Sequence, residues 1–412
     1  MSEQTQKTSP TLLLLAIFLV SINLRPAVAA IGPLVSQIIG DTRINSTVVG
    51  LLTMIPVFLM GIGAMYVRQL RSMLGEKGGI AVGVSIIALS CVVRLWFSDG
   101  VGLLTTAILA GIGIAIVQSL MPGFAKRNFA GATGRVIGVY STGIVAGACI
   151  AAGTAAWVSD TLGWKATLGA WSMPAVAALL LWSLASRTAT SERHAPIAAP
   201  GHIAPEFWRS VRSWTLMIFF GVGTGAFMLV MAWIPPFYLE LGVARDTAGL
   251  LLSALTLVEG VTALGVAAFI GRFPDRRGPL VFSLLTTALG FITLYLWPVT
   301  LAWPAMALLG VGIGILFPLS IIVAIDHIDD ATMAGNFTSF VQGGGYIFAS
   351  FVPLFAGAVR DVMANLTPVW LVMAIGSLAM ILFAIRFSPD SYKHFSASLR
   401  DGPSPTMPKA TR

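Results

Sequence analysis

The sequence predicts an all-α polytopic membrane protein of twelve transmembrane helices arranged as two six-helix pseudo-repeats. Three observations carry that reading. Of the 412 residues, 56% are hydrophobic and only 10% are charged, whereas a soluble domain carries about 25% charged residues. Twelve apolar runs divide the chain, most of them close to the roughly 20 residues that a bilayer core requires. Short glycine-centred motifs recur between the two halves at an offset near 199 residues.

The runs span 12–39, 46–67, 79–97, 101–124, 136–158 and 166–186 in the first half. In the second they span 214–239, 247–270, 279–297, 301–325, 333–359 and 366–387. Ala27-Val28-Ala29 imitates a signal-peptidase site, but Arg25 and Pro26 interrupt the apolar region just before it and apolar sequence continues to Ile39. The first run is therefore read as a retained helix. Residues 187–213, rich in Ala, Pro, Ser and charge, read as a flexible linker. The expected order is an N-tail over 1–11, a bundle over 12–186, the linker over 187–213, a second bundle over 214–387 and a C-tail over 388–412.

Loop charge sets the expected topology. With the N-terminus in the cytoplasm, Arg43, Lys165, Arg245 and Arg360 face outward, and Arg25 and Arg94 lie inside helices. Every other Lys and Arg falls on the cytoplasmic side, which favours both termini inside a multi-pass protein of the inner (plasma) membrane. The segment around Asp326, His327, Asp329 and Asp330 dissents, having no Lys or Arg. The net charge of +8 follows from this asymmetry, so a nucleic-acid partner is not expected. Two cysteines, Cys91 and Cys149, and four histidines suggest no disulfide framework and no metal site. No phosphate-binding loop or nucleophile–base set is evident, so no enzyme and no cofactor are expected. The partners are a small-molecule substrate, the lipid bilayer and, as a candidate, the proton; a monomer is expected.

The repeats align helix by helix. Gly50-Leu51-Leu52 matches Gly249-Leu250-Leu251, and Gly111-Ile112-Gly113-Ile114 matches Gly310-Val311-Gly312-Ile313, both offset by 199. Gly138-Val139-Tyr140-Ser141-Thr142 matches Gly335-Asn336-Phe337-Thr338-Ser339 at an offset of 197. Six helices per half give both halves the same orientation, hence a parallel repeat about an axis along the membrane normal.

Two six-helix halves, a central loop and these repeats resemble the major facilitator superfamily over about residues 10–390. Gly271-Arg272-Phe273-Pro274-Asp275-Arg276-Arg277-Gly278 resembles its Asp-Arg-x-Gly loop motif. That implies a conformational gate built from Arg272, Asp275 and Arg276. The first-half copy, Arg68 to Lys77, has no Asp-Arg pair. The fifth helix lacks the Gly-Pro pair of the drug/proton antiporter signature, which argues against that type of efflux. A narrower resemblance rests on Asn23-Leu24-Arg25-Pro26, Gly32-Pro33-Leu34, Gly50-Leu51-Leu52-Thr53, and Gly111-Ile112-Gly113-Ile114 with Gln118, Met121-Pro122 and Lys126-Arg127. These are similar to the cyanate transporter and nitroimidazole exporter branch, which implies a small, planar, polar or anionic substrate and alternating access.

Arg25 is the main candidate. A guanidinium at membrane depth costs at least ~2.5 kcal/mol and cannot shed its charge. It reads either as a cavity-facing anion ligand or as a structural cation. Glu259, in the eighth run, is the acidic counterpart. Desolvation favours the neutral form of such a carboxylate, which suits proton coupling; the alternative is an ion pair with Arg25 or Arg94. Arg94 reads chiefly as a structural charge, with snorkelling to the outer surface as one route. Asn23, Gln118, Asn336 and Gln342 are candidate hydrogen-bond partners for substrate, and Tyr140 and Phe337 candidate stacking surfaces; each is balanced by a packing role. Trp297, Trp303 and Trp370 read as interfacial anchors. The expectation is a secondary transporter for a small polar or anionic solute. Rival readings are an exporter of neutral drug-like compounds with Arg25 structural, a uniporter, and a sensor or channel.

Overall fold

A computed structural model describes residues 10–129, 132–187, 205–328 and 331–400, and within them every regular element is a helix. The N-tail residues 1–9, the middle of the linker at 188–204, Asp329 and Asp330, and residues 401–412 lie outside the described residues. The first half contains α1 Pro10–Ile22, α2 Pro26–Ala29, α3 Ile31–Thr42, α4 Ser46–Met65, α5 Val67–Leu74, α6 Glu76–Val93, α7 Gly100–Asn128, α8 Thr133–Ala170 and α9 Ser172–Ala185. The second contains α10 Pro205–Arg209, α11 Val211–Glu240, α12 Arg245–Phe269, α13 Arg277–Leu296, α14 Ala302–Asp326, α15 Ala331–Met363, α16 Thr367–Ala384 and α17 Pro389–Arg400.

Eleven stretches among the described residues are long and apolar enough to cross a membrane. One, Arg135–Ala185, is 51 residues long, far beyond a single bilayer crossing. It joins the fifth and sixth predicted runs, and Gly163 interrupts its helical geometry with φ +76° and ψ 158°. Glycine adopts that positive φ without a Cβ penalty. Twelve crossings are consistent with this count.

The predicted first run is three helices. Pro26 has no N–H to continue the α1 ladder, so α1 stops at Ile22 and Arg25 becomes the N-cap of α2 with φ −114° and ψ −27°. The linker and C-tail also differ from expectation. Residues 205–209 form α10, α11 begins at Val211 rather than 214, and the tail carries α17. Apolar side chains dock both short helices: Phe207 of α10 meets Phe337 at 5.0 Å between ring centroids, and Phe395 of α17 meets it at 5.6 Å. Trp297 and Trp303 are exposed, whereas Trp370 is fully buried against Phe237 and Phe291; it packs the bundle and is no surface anchor.

The bundle end that carries α10 and α17 is called the tail end here, and its opposite the far end. Beneath α17, the buried His327 lies among Phe387, Tyr392 and Phe395. Its Nε2 accepts from Arg212 Nε at 3.0 Å, and its Nδ1 lies 2.6 Å from the Val323 carbonyl. Arginine can only donate, so the ring is neutral with its proton on Nδ1. Burial pushes the His327 pKa down to about 3. Its neutral form therefore contributes stability that is complete above the ordinary value near 6.5 and is lost as pH falls toward about 3. Proteolysis at the α17 boundary is expected to rise severalfold between pH 7 and pH 4. His327→Gln is expected to flatten that dependence.

The two halves meet along α4 and α15. A Cβ on Gly61 would stand 2.6 Å from the Gly343 carbonyl oxygen, and one on Gly50 would stand 2.8 Å from that of Pro353. The triple glycine 343–345 thus marks close helix contact.

Candidate functional site

The break after α1 sets Arg25 between the halves. Arg25 is 8% exposed, with its guanidinium carbon 5.3 Å from the Phe227 ring centroid and Nη1 3.9 Å from Met228 Sδ. Both neighbours belong to α11. A ring face attracts a cation but satisfies none of its N–H groups, and Arg25 Nε is buried with no hydrogen-bond partner. Arg25 lies within electrostatic range of Glu259 on α12, Tyr140 on α8 and Tyr346 on α15. Glu259 Oε2 and the Tyr140 hydroxyl are likewise buried without partners. No direct Arg25–Glu259 ion pair forms among the described residues.

Buried polar atoms are normally hydrogen-bonded, and an orphan calls for an explanation. Here two orphans from different helices lie within electrostatic range of a cation that carries a third. Gly314 of α14 holds the Glu259 backbone close: a Cβ there would meet the Glu259 carbonyl oxygen at 2.6 Å.

Arg94 has a different environment. It is 1% exposed and points inward, away from the outer surface. Its Nε donates to Thr106 Oγ1 at 3.0 Å, and Nη1 donates to the Ala27 carbonyl at 3.1 Å. It thereby ties the end of α6 to α2, immediately after Arg25.

Several residues expected beside the substrate are elsewhere. Asn23 donates its amide to the Leu19 and Pro174 carbonyls at 2.7 and 3.2 Å, so the non-helical turn aims it at α9 and away from the halves' seam. Asn336 accepts from Arg68 Nη2 at 2.7 Å, a bridge between halves at the tail end. Phe337 is fully buried beneath α10 and α17 and has no face left for a ligand. Gln118 and Gln342 are half-buried, with no side-chain hydrogen bond tying either to the Arg25 cluster. Tyr346, 8% exposed and edge-on to Phe220 at 5.2 Å, was missed. The available signal was a phenol within a membrane run, a group that requires a polar partner when buried.

The loop motif after α12 divides its charges. Arg276 donates Nε to Asp326 Oδ2 at 2.9 Å and Nη1 to the Ile270 carbonyl at 2.7 Å, fastening the ends of α12 and α14 together. Asp275 turns to Arg277, accepting from its backbone N at 3.0 Å and its Nη2 at 2.6 Å, which holds the Asp275 pKa below the ordinary carboxylate value. Arg272 stacks on Phe269 at 5.0 Å.

The first half holds an equivalent brace with its charges exchanged. Glu76, at the start of α6, pairs with Arg127 at the end of α7 and with Arg71 at 3.5 Å. Arg127 and Asp326 differ by 199 in number, the repeat offset, whereas Glu76 matches Asp275, one residue before the Arg276 of the second brace. The first half therefore joins the same two helix ends with the charges exchanged, its acidic member standing one position before Lys77, the residue that matches Arg276. Removing one partner of a buried pair costs about 3 kcal/mol or more. Glu76→Arg should lower the unfolding midpoint of the purified protein, and adding Arg127→Glu should recover most of the loss.

Comparison with known proteins accords with this architecture. The Major Facilitator Superfamily model matches residues 13–353 and 233–411. The chain belongs to that superfamily. It is 32% identical to the Cyanate transport protein CynX of Escherichia coli over 92% of this chain and 97% of that protein. It is 25% identical to the 2-nitroimidazole transporter of Escherichia coli, covering 90% and 94% respectively. The fold matches the crystal structure of a D-xylose-proton symporter with TM-score 0.71 and 13% identity, over 92% of this chain and 97% of that one. This superfamily member is thus a multi-pass membrane transporter similar to cyanate and nitroimidazole transporters.

Proposed function

We propose that this transporter moves a small polar or anionic solute, a cyanate-like anion or small planar heterocycle, across the inner membrane by alternating access between its two halves. One observation carries the reading: buried, unpartnered polar atoms of Arg25, Tyr140 and Glu259 converge between the halves. Arg25 and Tyr140 supply donors for an anion, and Glu259 supplies a proton-coupling carboxylate. The names of the two Escherichia coli relatives, one for cyanate and one for 2-nitroimidazole, both denote small planar solutes. A neutral drug-like cargo would leave the Arg25 and Glu259 orphans without a purpose.

In this reading the tail end is cytoplasmic, because the basic loops gather there. The paired braces, Glu76–Arg127 and Arg276–Asp326, stiffen each half as it rocks, and the Arg68–Asn336 bridge closes the tail end. Uptake of labelled cyanate, other small anions and neutral heterocycles into liposomes containing the purified protein, with and without a pH gradient, tests the proposal. Arg25-dependent uptake of an anion or planar polar solute is expected. Transport confined to bulky neutral compounds would overturn it.

A further inference from the structure

Resting on the anion reading above, we infer that transport is electroneutral: one monoanion on Arg25 travels with one proton on Glu259. Away from its two ends, the described bundle holds three side chains of opposite charge type, Arg25, Arg94 and Glu259. Arg94 is hydrogen-bonded to Thr106 and Ala27 and carries the same charge in every state. The variable part is one cation and one carboxylate in mutual range, each with an orphaned atom.

In the proposed cycle the empty carrier crosses with Glu259 deprotonated, so that its carboxylate balances Arg25. A bound monoanion introduces a second negative charge against the same cation, and an unbalanced charge in a poorly solvated interior is costly. A proton on Glu259 removes the excess. That proton enters from the compartment that supplies the anion and leaves with it, returning Glu259 to the carboxylate. The loaded and empty carriers then have equal interior charge, so neither crossing works against the membrane potential.

The groups around Glu259 leave it the one site for this exchange. Arg25, at the break before α2, lies within electrostatic range of it, and Tyr140 of α8 and Tyr346 of α15 lie within range of Arg25. The neighbouring face of α14 presents Gly314, and α11 contributes Phe227 and Met228, which do not titrate in this range. Cys149 of α8 touches Ser253, nearly two turns from Glu259 along α12.

The test uses the full-length protein with potassium cyanate as probe. Calorimetric affinity between pH 6 and 8.5 is expected to weaken about tenfold per pH unit where Glu259 is ionised, as linkage to one proton requires. In liposomes, a trapped pH dye should report one proton per cyanate above a protein-free baseline, with uptake insensitive to an imposed potassium-diffusion potential. Glu259→Gln should bind cyanate with the same affinity at every pH and exchange it without moving protons. Arg25-dependent binding that is independent of pH in the wild type, or uptake that carries net charge, overturns the coupling and leaves the anion reading standing. Absence of binding by cyanate and every other panel anion at all pH values overturns both.

Discussion

Arg25→Leu is expected to abolish anion uptake and, at the same time, to raise the thermal stability of the purified protein. The two effects share one cause. Arg25 Nε is buried without a partner, and a charged donor left in that condition is a standing cost of about 1–3 kcal/mol or more. Leucine removes the cost and keeps contact with Phe227 and Met228. The same guanidinium is the donor an incoming anion would use, so its loss should lower apparent affinity by about 100-fold or more, given ~1.5–3 kcal/mol per charged hydrogen bond. Arg25→Lys keeps the charge without the planar fork and should retain part of the affinity. The contrast is Arg94→Leu, which strands Thr106 and the Ala27 carbonyl and should lower the midpoint. Scanning fluorimetry beside liposome uptake checks all three. A destabilised Arg25→Leu that still transports would mark Arg25 as a structural cation.

The second large effect is expected at the far end, where Asp361 of α15 caps a helix of the other half. Its carboxylate accepts from Ser46 N and Thr47 N at 2.8 Å each and from Thr47 Oγ1 at 2.5 Å. These are free N–H groups of the first turn of α4, whose own cap Asn45 serves only Val48 N. Arg360 beside it pairs with Glu240 and donates to Ser46 Oγ at 3.3 Å, and Arg245 pairs with Asp160 across the halves at 2.7 Å. Opening this end exposes the α4 N–H groups to water and breaks the Arg245–Asp160 pair and the Arg360–Ser46 hydrogen bond, while Arg360–Glu240 stays within the second half. A lost cap is worth about 0.5–2 kcal/mol, so Asp361→Ala should shift the population toward the far-end-open state by roughly threefold to thirtyfold. Spin labels at the exposed Thr161 and Asp246 report it as a longer distance component. An unchanged distance distribution would remove Asp361 from the gate.

Legibility in the sequence followed the strength of the physical constraint. The fold was readable because a bilayer dictates apolar length and the repeats fix the half-by-half arrangement. Arg25 and Glu259 were noticeable for the same reason, since polar groups at that depth are expensive; Tyr140 was chosen as a stacking surface, yet it is its unpartnered hydroxyl that lies in range of Arg25. Asn23 was assigned a face by helical spacing, which fails because the chain is not helical between Ile22 and Pro26. Asn336 and Phe337 were placed by repeat symmetry with the fifth run. That symmetry breaks where α10 and α17 cover one half, and two short helices of mixed polarity leave little trace in hydropathy. The inverted brace was hidden because a motif search reads residue types in order, whereas an ion pair works equally well with its partners exchanged.

The interruption at Gly163 has a consequence beyond local geometry. Hydropathy and helix continuity together count eleven crossings, since Arg135–Ala185 passes as a single helix. Eleven is odd and would leave the two ends of the chain in different compartments; twelve is even and returns them to the same one. One glycine with a positive φ divides that stretch, and so one residue sets the parity of the whole topology. On that parity depends whether the start of α1 shares an aqueous compartment with the linker helix α10 and with α17, which the six later crossings already place together.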